Sequence, residues 1–146
     1  MQNSRASWAP VPLRLMLAIG FLFHGLPKLT TAGHAGFVGM LTGIGVPLPG
    51  LAAWGVGAVE VVGALAILLG MYVTLASALL IVNMAVAAVT VHLANGFNFI
   101  NITGMGEQGP IFGMPGVEVN LLYIAALLAL LLSGPGALAL GRRRDS

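Results

Sequence analysis

Four long apolar stretches dominate this chain of 146 residues and limit the folds that it can adopt. They cover approximately residues 11–29, 51–72, 73–94 and 117–133. A helix that crosses the hydrocarbon core of a bilayer needs about 17–25 mostly apolar residues, and each stretch meets that length. The sequence therefore predicts an all-α integral membrane protein. We expect a single transmembrane domain over residues 1–146, built as a four-helix bundle.

The composition excludes several classes of protein. Hydrophobic residues make up 58% of the chain and charged residues 7%, whereas a soluble domain is roughly 25% charged. The formal net charge of +2 is too small for a nucleic-acid interface, so no nucleic-acid partner is expected. Because the chain has no cysteine, it can form neither disulfides nor thiolate metal sites. Any electron chemistry must come from a bound cofactor or a partner protein.

Basic residues predict the orientation in the membrane. Arg5 and Arg14 begin the first stretch, and Arg142–Arg144 follow the fourth. Under the positive-inside rule, both termini are then cytoplasmic, which is an N-in/C-in arrangement. The long connections 30–50 and 95–116 face outward. Because residues 95–116 are too apolar for a solvated loop, we expect them to fold over the bundle as a lid.

A cleavable signal peptide is the alternative interpretation of the first stretch. Arg14 precedes an apolar run, and residues 31–33 are small enough for cleavage. Cleavage would place the C-terminal arginines opposite the N-terminus and would remove His24 and Lys28. We therefore expect the first stretch to be retained.

Glu60 is the clearest polar candidate, since it lies near the middle of the second stretch. Its neighbours one helical turn away include Gly57, Gly63 and Ala64. Small residues allow another helix to approach closely, and ionisable residues in membranes usually face a bundle interior. Glu60 should therefore point inward, either protonated or paired with a cation.

His24 and Lys28 are four residues apart and share one helix face with Gly20. Pro27 should end or kink that helix. Lys28 either extends to the outer surface or pairs with Glu60 or Glu118, because no other basic residue is expected on that side.

The third stretch carries Asn83 and His92, whose nine-residue separation predicts opposite helix faces, so that the two would not serve one site unless the helix bends. Asn83 is then expected to contact a neighbouring helix rather than a ligand. His92 is either an interfacial histidine or a site residue.

Five ionisable residues are predicted to lie at similar depth on four helices, namely His24, Lys28, Glu60, His92 and Glu118. They form the candidate set for ligand binding or proton transfer in an outward-facing polar pocket. The alternatives are ion pairs that only fix packing and, for Glu118, an acid that complements a helix N-terminus. No catalytic residue is assigned and no metal site is assigned. Two histidines on separate spans are a weak pattern for haem, which we do not expect.

The motifs along the chain resemble those of the DoxX family of small bacterial four-helix membrane proteins. The matching features are Arg14, the segment 20–28 that ends in Lys28, Glu60 with downstream glycines, Glu118 and the turn 134–136. Residues 72–75 depart from the family, because they lack its frequent Thr-Arg pair. An acidic residue that often follows the Gly-Pro-Gly turn is also missing.

The resemblance implies a bacterial inner-membrane protein associated with respiratory or sulfur redox chemistry, since the family name is tied to a small subunit of a thiosulfate:quinone oxidoreductase. The leading hypothesis is a redox-accessory subunit that holds a quinone-like or other small redox molecule and works with a redox partner protein. The alternatives are a non-catalytic carrier of a small molecule or lipid, and a membrane scaffold for an enzyme. Whether the chain is catalytic stays open. Its many glycines and alanines would permit a homo-oligomer.

Overall fold

The computed structural model of the chain describes residues 7–141 and is mainly helical. The α-helices are α1 (Pro10–Lys28), α2 (Thr31–Gly43), α3 (Pro49–Leu69), α4 (Val73–Ala87) and α5 (Glu118–Ser133). A π-turn (Ala88–His92) and a short 3-10 turn (Leu93–Asn95) extend α4. Two antiparallel strands, β1 (Ile102–Gly106) and β2 (Gly109–Phe112), form a hairpin before α5.

Three of the described helical segments are long and apolar enough to cross a membrane: Pro10–Lys28, Pro49–Leu69 and Val73–Asn95. The fourth predicted span corresponds to α5, which is apolar but has 16 residues. The helical membrane class is therefore confirmed. The count of four crossings and the N-in/C-in orientation stay predictions. Arg5 and Arg142–Arg144, on which the orientation depends, lie outside the described residues.

Proline and glycine set the helix ends near the site. Helix α1 ends at Lys28, one residue after Pro27, in agreement with the prediction that this proline ends or kinks the helix. Helix α3 begins at Pro49, where the missing N–H costs no helical hydrogen bond. It stops at Gly70, whose φ of 68° is left-handed and favours glycine. The next helix follows directly, so α3 and α4 form a tight pair.

The helices pack around a shared apolar core. Helix α1 packs against α3 and α5, and α4 packs against the same two helices. The buried core residues are Leu17, Ala18, Phe21, Ala64, Ile67, Val73, Ala76, Leu80, Leu127 and Leu130. Many large apolar side chains remain on the outside, such as Met16 at 65% and Leu132 at 83% exposure. An apolar exterior of this kind suits a bilayer.

Arg14 is buried at the end of the bundle where α1 begins. The guanidinium has five N–H donors, and backbone carbonyl oxygens accept from each of its nitrogens. The acceptors are Ile67 (2.8 Å), Leu68 (2.7 Å), Pro135 (2.9 Å), Ala137 (2.8 Å) and Leu138 (3.3 Å). Two belong to the last turn of α3, where carbonyls have few helical partners, although Ile67 O also accepts from Gly70 N at 3.0 Å. This arrangement, the Arg14 clasp, ties α1 to the end of α3 and to the segment after α5.

Both long connections contain regular structure that the sequence did not predict. Residues 30–50 include α2, which packs against α1 and α3. Glycines at 33, 36, 39 and 43 lower the helix propensity of this segment, but packing overrides that preference. Residues 95–116 contain the hairpin, in which Met105 pairs with Pro110.

Candidate functional site

A cavity of about 420 Å³ lies among the helices on the side of the hairpin. Its polar lining residues are His24, Lys28, Glu60, Asn83, Thr90, His92, Asn120 and Tyr123. Most of the other lining side chains are apolar and come from α2, α3, α4, α5 and residues 99–116. An apolar cavity of this size with a few polar groups is typical of a small-molecule site.

Lys28, Glu60 and Asn83 form a hydrogen-bonded group, the cavity cluster, from three different helices. Glu60 is 2% exposed. Its Oε2 pairs with Lys28 Nζ, and its Oε1 accepts a hydrogen bond from Asn83 Nδ2 at 3.0 Å. The ammonium of Lys28 also lies 4.9 Å from the ring centre of Phe37 on α2, a cation–π distance. The structure thus places Glu60 inside the bundle with a cationic partner, as expected.

Small residues bring α1 and α3 close enough for this pairing. A Cβ added at Gly25 would lie 2.8 Å from the Cβ of Glu60. One added at Gly57 would lie 2.7 Å from a methyl group of Leu29. Both distances are shorter than van der Waals contact. The Leu29 methyl group can move aside, but the Cβ of Glu60 is fixed to the backbone of α3, so a larger residue at position 25 would separate the two helices. Glycine at position 25 therefore helps to set the distance between Lys28 and Glu60.

His24 lies one helical turn before Lys28 and lines the cavity, yet the residue is exposed. It therefore occupies the rim of the cavity rather than its interior.

His92 and Asn83 line the same cavity, so the prediction of opposite helix faces was wrong. The cause is the π-turn Ala88–His92 between them. Backbone hydrogen bonds from i to i+5 place an extra residue in the turn, which rotates the following residues relative to a regular α-helix. His92 thereby turns toward the cavity. Asn83 contacts another helix, as expected, but it does so through Glu60 and within the site.

Glu118 and His92 fasten the segments that cover the cavity, residues 96–99 and 113–118, here called the roof. Glu118 Oε2 accepts a hydrogen bond from Phe99 N at 2.8 Å. His92 Nδ1 lies 2.8 Å from the carbonyl oxygen of Pro115 and must carry the proton in that contact. Backbone hydrogen bonds from Gly116 N to Asn98 O, Val117 N to Gly96 O and Glu118 N to Phe97 O join the two segments of the roof. Glu118 lies outside the cavity lining, whereas His92 belongs to it.

Two further polar residues, Asn120 and Tyr123, line the cavity from α5. Asn120 is 6% exposed, and its Nδ2 donates to Met84 Sδ at 3.8 Å. The Tyr123 ring packs edge-on against Phe21, with ring centres 5.2 Å apart. Neither residue was predicted to belong to the site. Their three-residue spacing, which places both on one helix face, is the signal that could have identified them.

Within residues 7–141, no group of three or more His, Asp or Glu side chains is arranged to hold a metal ion.

Comparisons with known proteins agree with the membrane character of the fold. The sequence profile of the DoxX family matches residues 9–93. The chain is also 32% identical over 130 residues to the "Inner membrane protein YphA" of Escherichia coli (strain K12). That alignment covers 89% of this chain and 86% of the relative. No solved structure matches the chain.

Proposed function

The chain belongs to the DoxX family of membrane proteins, and from that premise we propose that it binds a small quinone-like molecule in the cavity as an accessory to membrane redox chemistry. The observation that carries this proposal is the convergence of a lysine, a carboxylate, amides and two histidines on one largely apolar cavity. An apolar ring would fill the space, and its oxygen atoms would meet the polar groups.

Lys28 and Glu60 have distinct parts in the proposed chemistry. The ammonium has three N–H donors, so pairing with Glu60 leaves donors for a ligand oxygen. A positive charge at that point would stabilise negative charge on the oxygen as a quinone accepts electrons. Glu60 and the rim residue His24 are the candidate groups for proton transfer. The electrons would come from a partner redox protein.

The shape of the cavity favours a ligand that dissolves in the bilayer. Several lining residues are exposed, including Val86 on α4, Thr90 in the π-turn and Met114 beside the hairpin. Val86 is 55% exposed and Met114 52% exposed. The cavity therefore reaches the apolar surface, and a lipid-soluble molecule could enter it from the membrane.

The proposed topology has four crossings, cytoplasmic termini and the roof on the periplasmic side. Helix α5 is about 24 Å long, shorter than a hydrocarbon core of about 30 Å, but local thinning of the bilayer accommodates such a mismatch. The absence of cysteine permits a direct test. Gln108→Cys at the hairpin turn should react with a membrane-impermeant maleimide in intact cells. Labelling only after the inner membrane is permeabilised would contradict this orientation.

Equilibrium binding tests the proposed ligand. We expect the detergent-solubilised protein to bind a short-chain ubiquinone, and we expect Glu60→Gln and Lys28→Gln to weaken that binding at least about tenfold. Glu107→Gln removes the same charge from the exposed hairpin turn and should leave the affinity unchanged.

No binding by the wild type, or equal affinities of the Glu60→Gln and Glu107→Gln variants, would contradict the proposal. A non-redox molecule that co-purifies in the cavity would favour the carrier alternative, and an empty cavity with a co-purifying enzyme would favour the scaffold.

A further inference from the structure

The carboxamide of Asn120 has unused hydrogen-bonding capacity inside the cavity. The side chain is buried, and within residues 7–141 its one hydrogen bond is the 3.8 Å contact with Met84 Sδ. A thioether sulfur is a weak acceptor. Buried amides normally satisfy both their N–H and C=O groups, because leaving them unpaired costs free energy. The amide therefore has both donor and acceptor capacity available for a ligand.

Asn120 and Glu60 line the cavity from two different helices that do not neighbour each other in the bundle. Since α1 and α4 each pack against both α3 and α5, α3 and α5 lie diagonally across the bundle. Glu60 belongs to α3, Asn120 belongs to α5, and both line the same cavity. A molecule in this space would meet polar groups from both helices and the apolar side chains that make up most of the lining.

Tyr123 adds a hydroxyl group to the α5 wall, one helical turn from Asn120. The phenol oxygen lies against Gly20, where an added Cβ would collide with it. Glycine at this position of α1 thus leaves room for a polar atom beside the cavity. Among the described residues, no side chain or carbonyl accepts a hydrogen bond from this hydroxyl, which leaves the O–H free to reach a ligand.

We propose that Asn120 and Tyr123 form a second polar subsite, which binds the end of the ligand that is remote from Lys28. This inference rests on the proposed function and narrows it to a ligand with hydrogen-bonding oxygen atoms at both ends of an apolar ring, as in a 1,4-quinone. The carboxamide can donate to a carbonyl through Nδ2 and accept from a hydroxyl through Oδ1. The α5 subsite therefore tolerates both the quinone and the quinol, whereas the ammonium of Lys28 offers donors alone.

Two probe molecules of similar size distinguish binding that uses the α5 subsite from binding that uses the rest of the cavity alone. 1,4-Naphthoquinone has two opposed carbonyl groups, whereas 1-tetralone is a bicycle with one. With the full chain in lipid nanodiscs, we expect Asn120→Leu to weaken naphthoquinone binding about tenfold and Tyr123→Phe to weaken it a few fold. Tetralone affinity should change less than about twofold in both variants, because its carbonyl can bind at Lys28.

Asn95→Leu is the matched control, since Asn95 is not among the residues that line the cavity and its amide bonds to the backbone oxygen of Val91. If Asn120→Leu does not fold, Tyr123→Phe, which removes one oxygen atom, supplies the same comparison between probes. Equal effects on both probes, or no effect on either, would overturn the subsite while the proposed function stands. Failure of the wild type to bind either probe would overturn both proposals.

Discussion

The Arg14 clasp and the cavity cluster both bury charge in an apolar bundle, but they differ in the space around them. Carbonyl oxygens surround the Arg14 guanidinium, and a Cβ added at Gly70 would lie 2.7 Å from its Nη2. Lys28 and Glu60 instead adjoin a cavity of about 420 Å³. A charge that is fully bonded and enclosed can only stabilise the fold, whereas a charge beside a cavity can also bind a ligand.

Replacement of Arg14 should have the largest effect on stability. Arg14→Met leaves several backbone carbonyls without donors, and we expect the free energy of unfolding to fall by about 3–5 kcal/mol. Arg14→Lys should recover only part of this loss, because the three N–H donors of an ammonium share one nitrogen and cannot reach carbonyls that the planar guanidinium contacts through three nitrogens. Unfolding in mixed micelles, followed by tryptophan fluorescence, measures both variants. A loss below about 1 kcal/mol for Arg14→Met would contradict the structural role of the clasp.

The stability of the protein should depend less on the cavity cluster, provided that both of its charged side chains are replaced together. Glu60→Leu alone leaves the Lys28 ammonium without its carboxylate, which should cost about 3 kcal/mol. The Lys28→Met/Glu60→Leu double variant should return to within about 1 kcal/mol of the wild type, because apolar residues can replace a buried ion pair. The same micelle unfolding assay tests the recovery. A double variant as unstable as Glu60→Leu would show that the pair is needed for folding.

The roof should respond locally to loss of its fastening residues. His92→Phe removes the hydrogen bond to Pro115 O, so amide exchange at Gly116 and Val117 should accelerate about fivefold. Amide exchange at Ala137 and Leu140, whose backbone N–H groups donate hydrogen bonds near the Arg14 clasp, should not change. Glu118→Gln should have a smaller effect, because the amide oxygen still accepts from Phe99 N. Hydrogen exchange with mass spectrometry compares these segments, and uniform acceleration would contradict a separately fastened roof.

The sequence predicted those features of the fold and the site that depend on residues close together in the chain. Apolar length located α1 and α3, and small neighbours around Glu60 indicated that its side chain faces the bundle. The π-turn at Ala88–His92 has no glycine or proline to signal it, so regular helical spacing placed His92 on the wrong face. Helix α2 was missed because its glycines weaken local propensity while contacts with α1 and α3 supply the stability.

Arg14 shows a second limit of sequence reasoning. The residue was interpreted as a basic flank that sets orientation, but its partners are backbone carbonyls more than 50 positions away. Asn120 was passed over for a related reason, since its environment depends on the diagonal placement of α3 and α5. Such long-range relations arise from packing and have no local pattern.

We propose that the cavity cluster serves a ligand and that the Arg14 clasp serves the fold, and native mass spectrometry of mildly extracted protein separates these two roles. We expect the wild type and Glu107→Gln to carry one added small-molecule mass, and the Lys28→Met/Glu60→Leu variant to be folded without it. The same adduct on all three proteins, or its absence from the wild type, would contradict the claim.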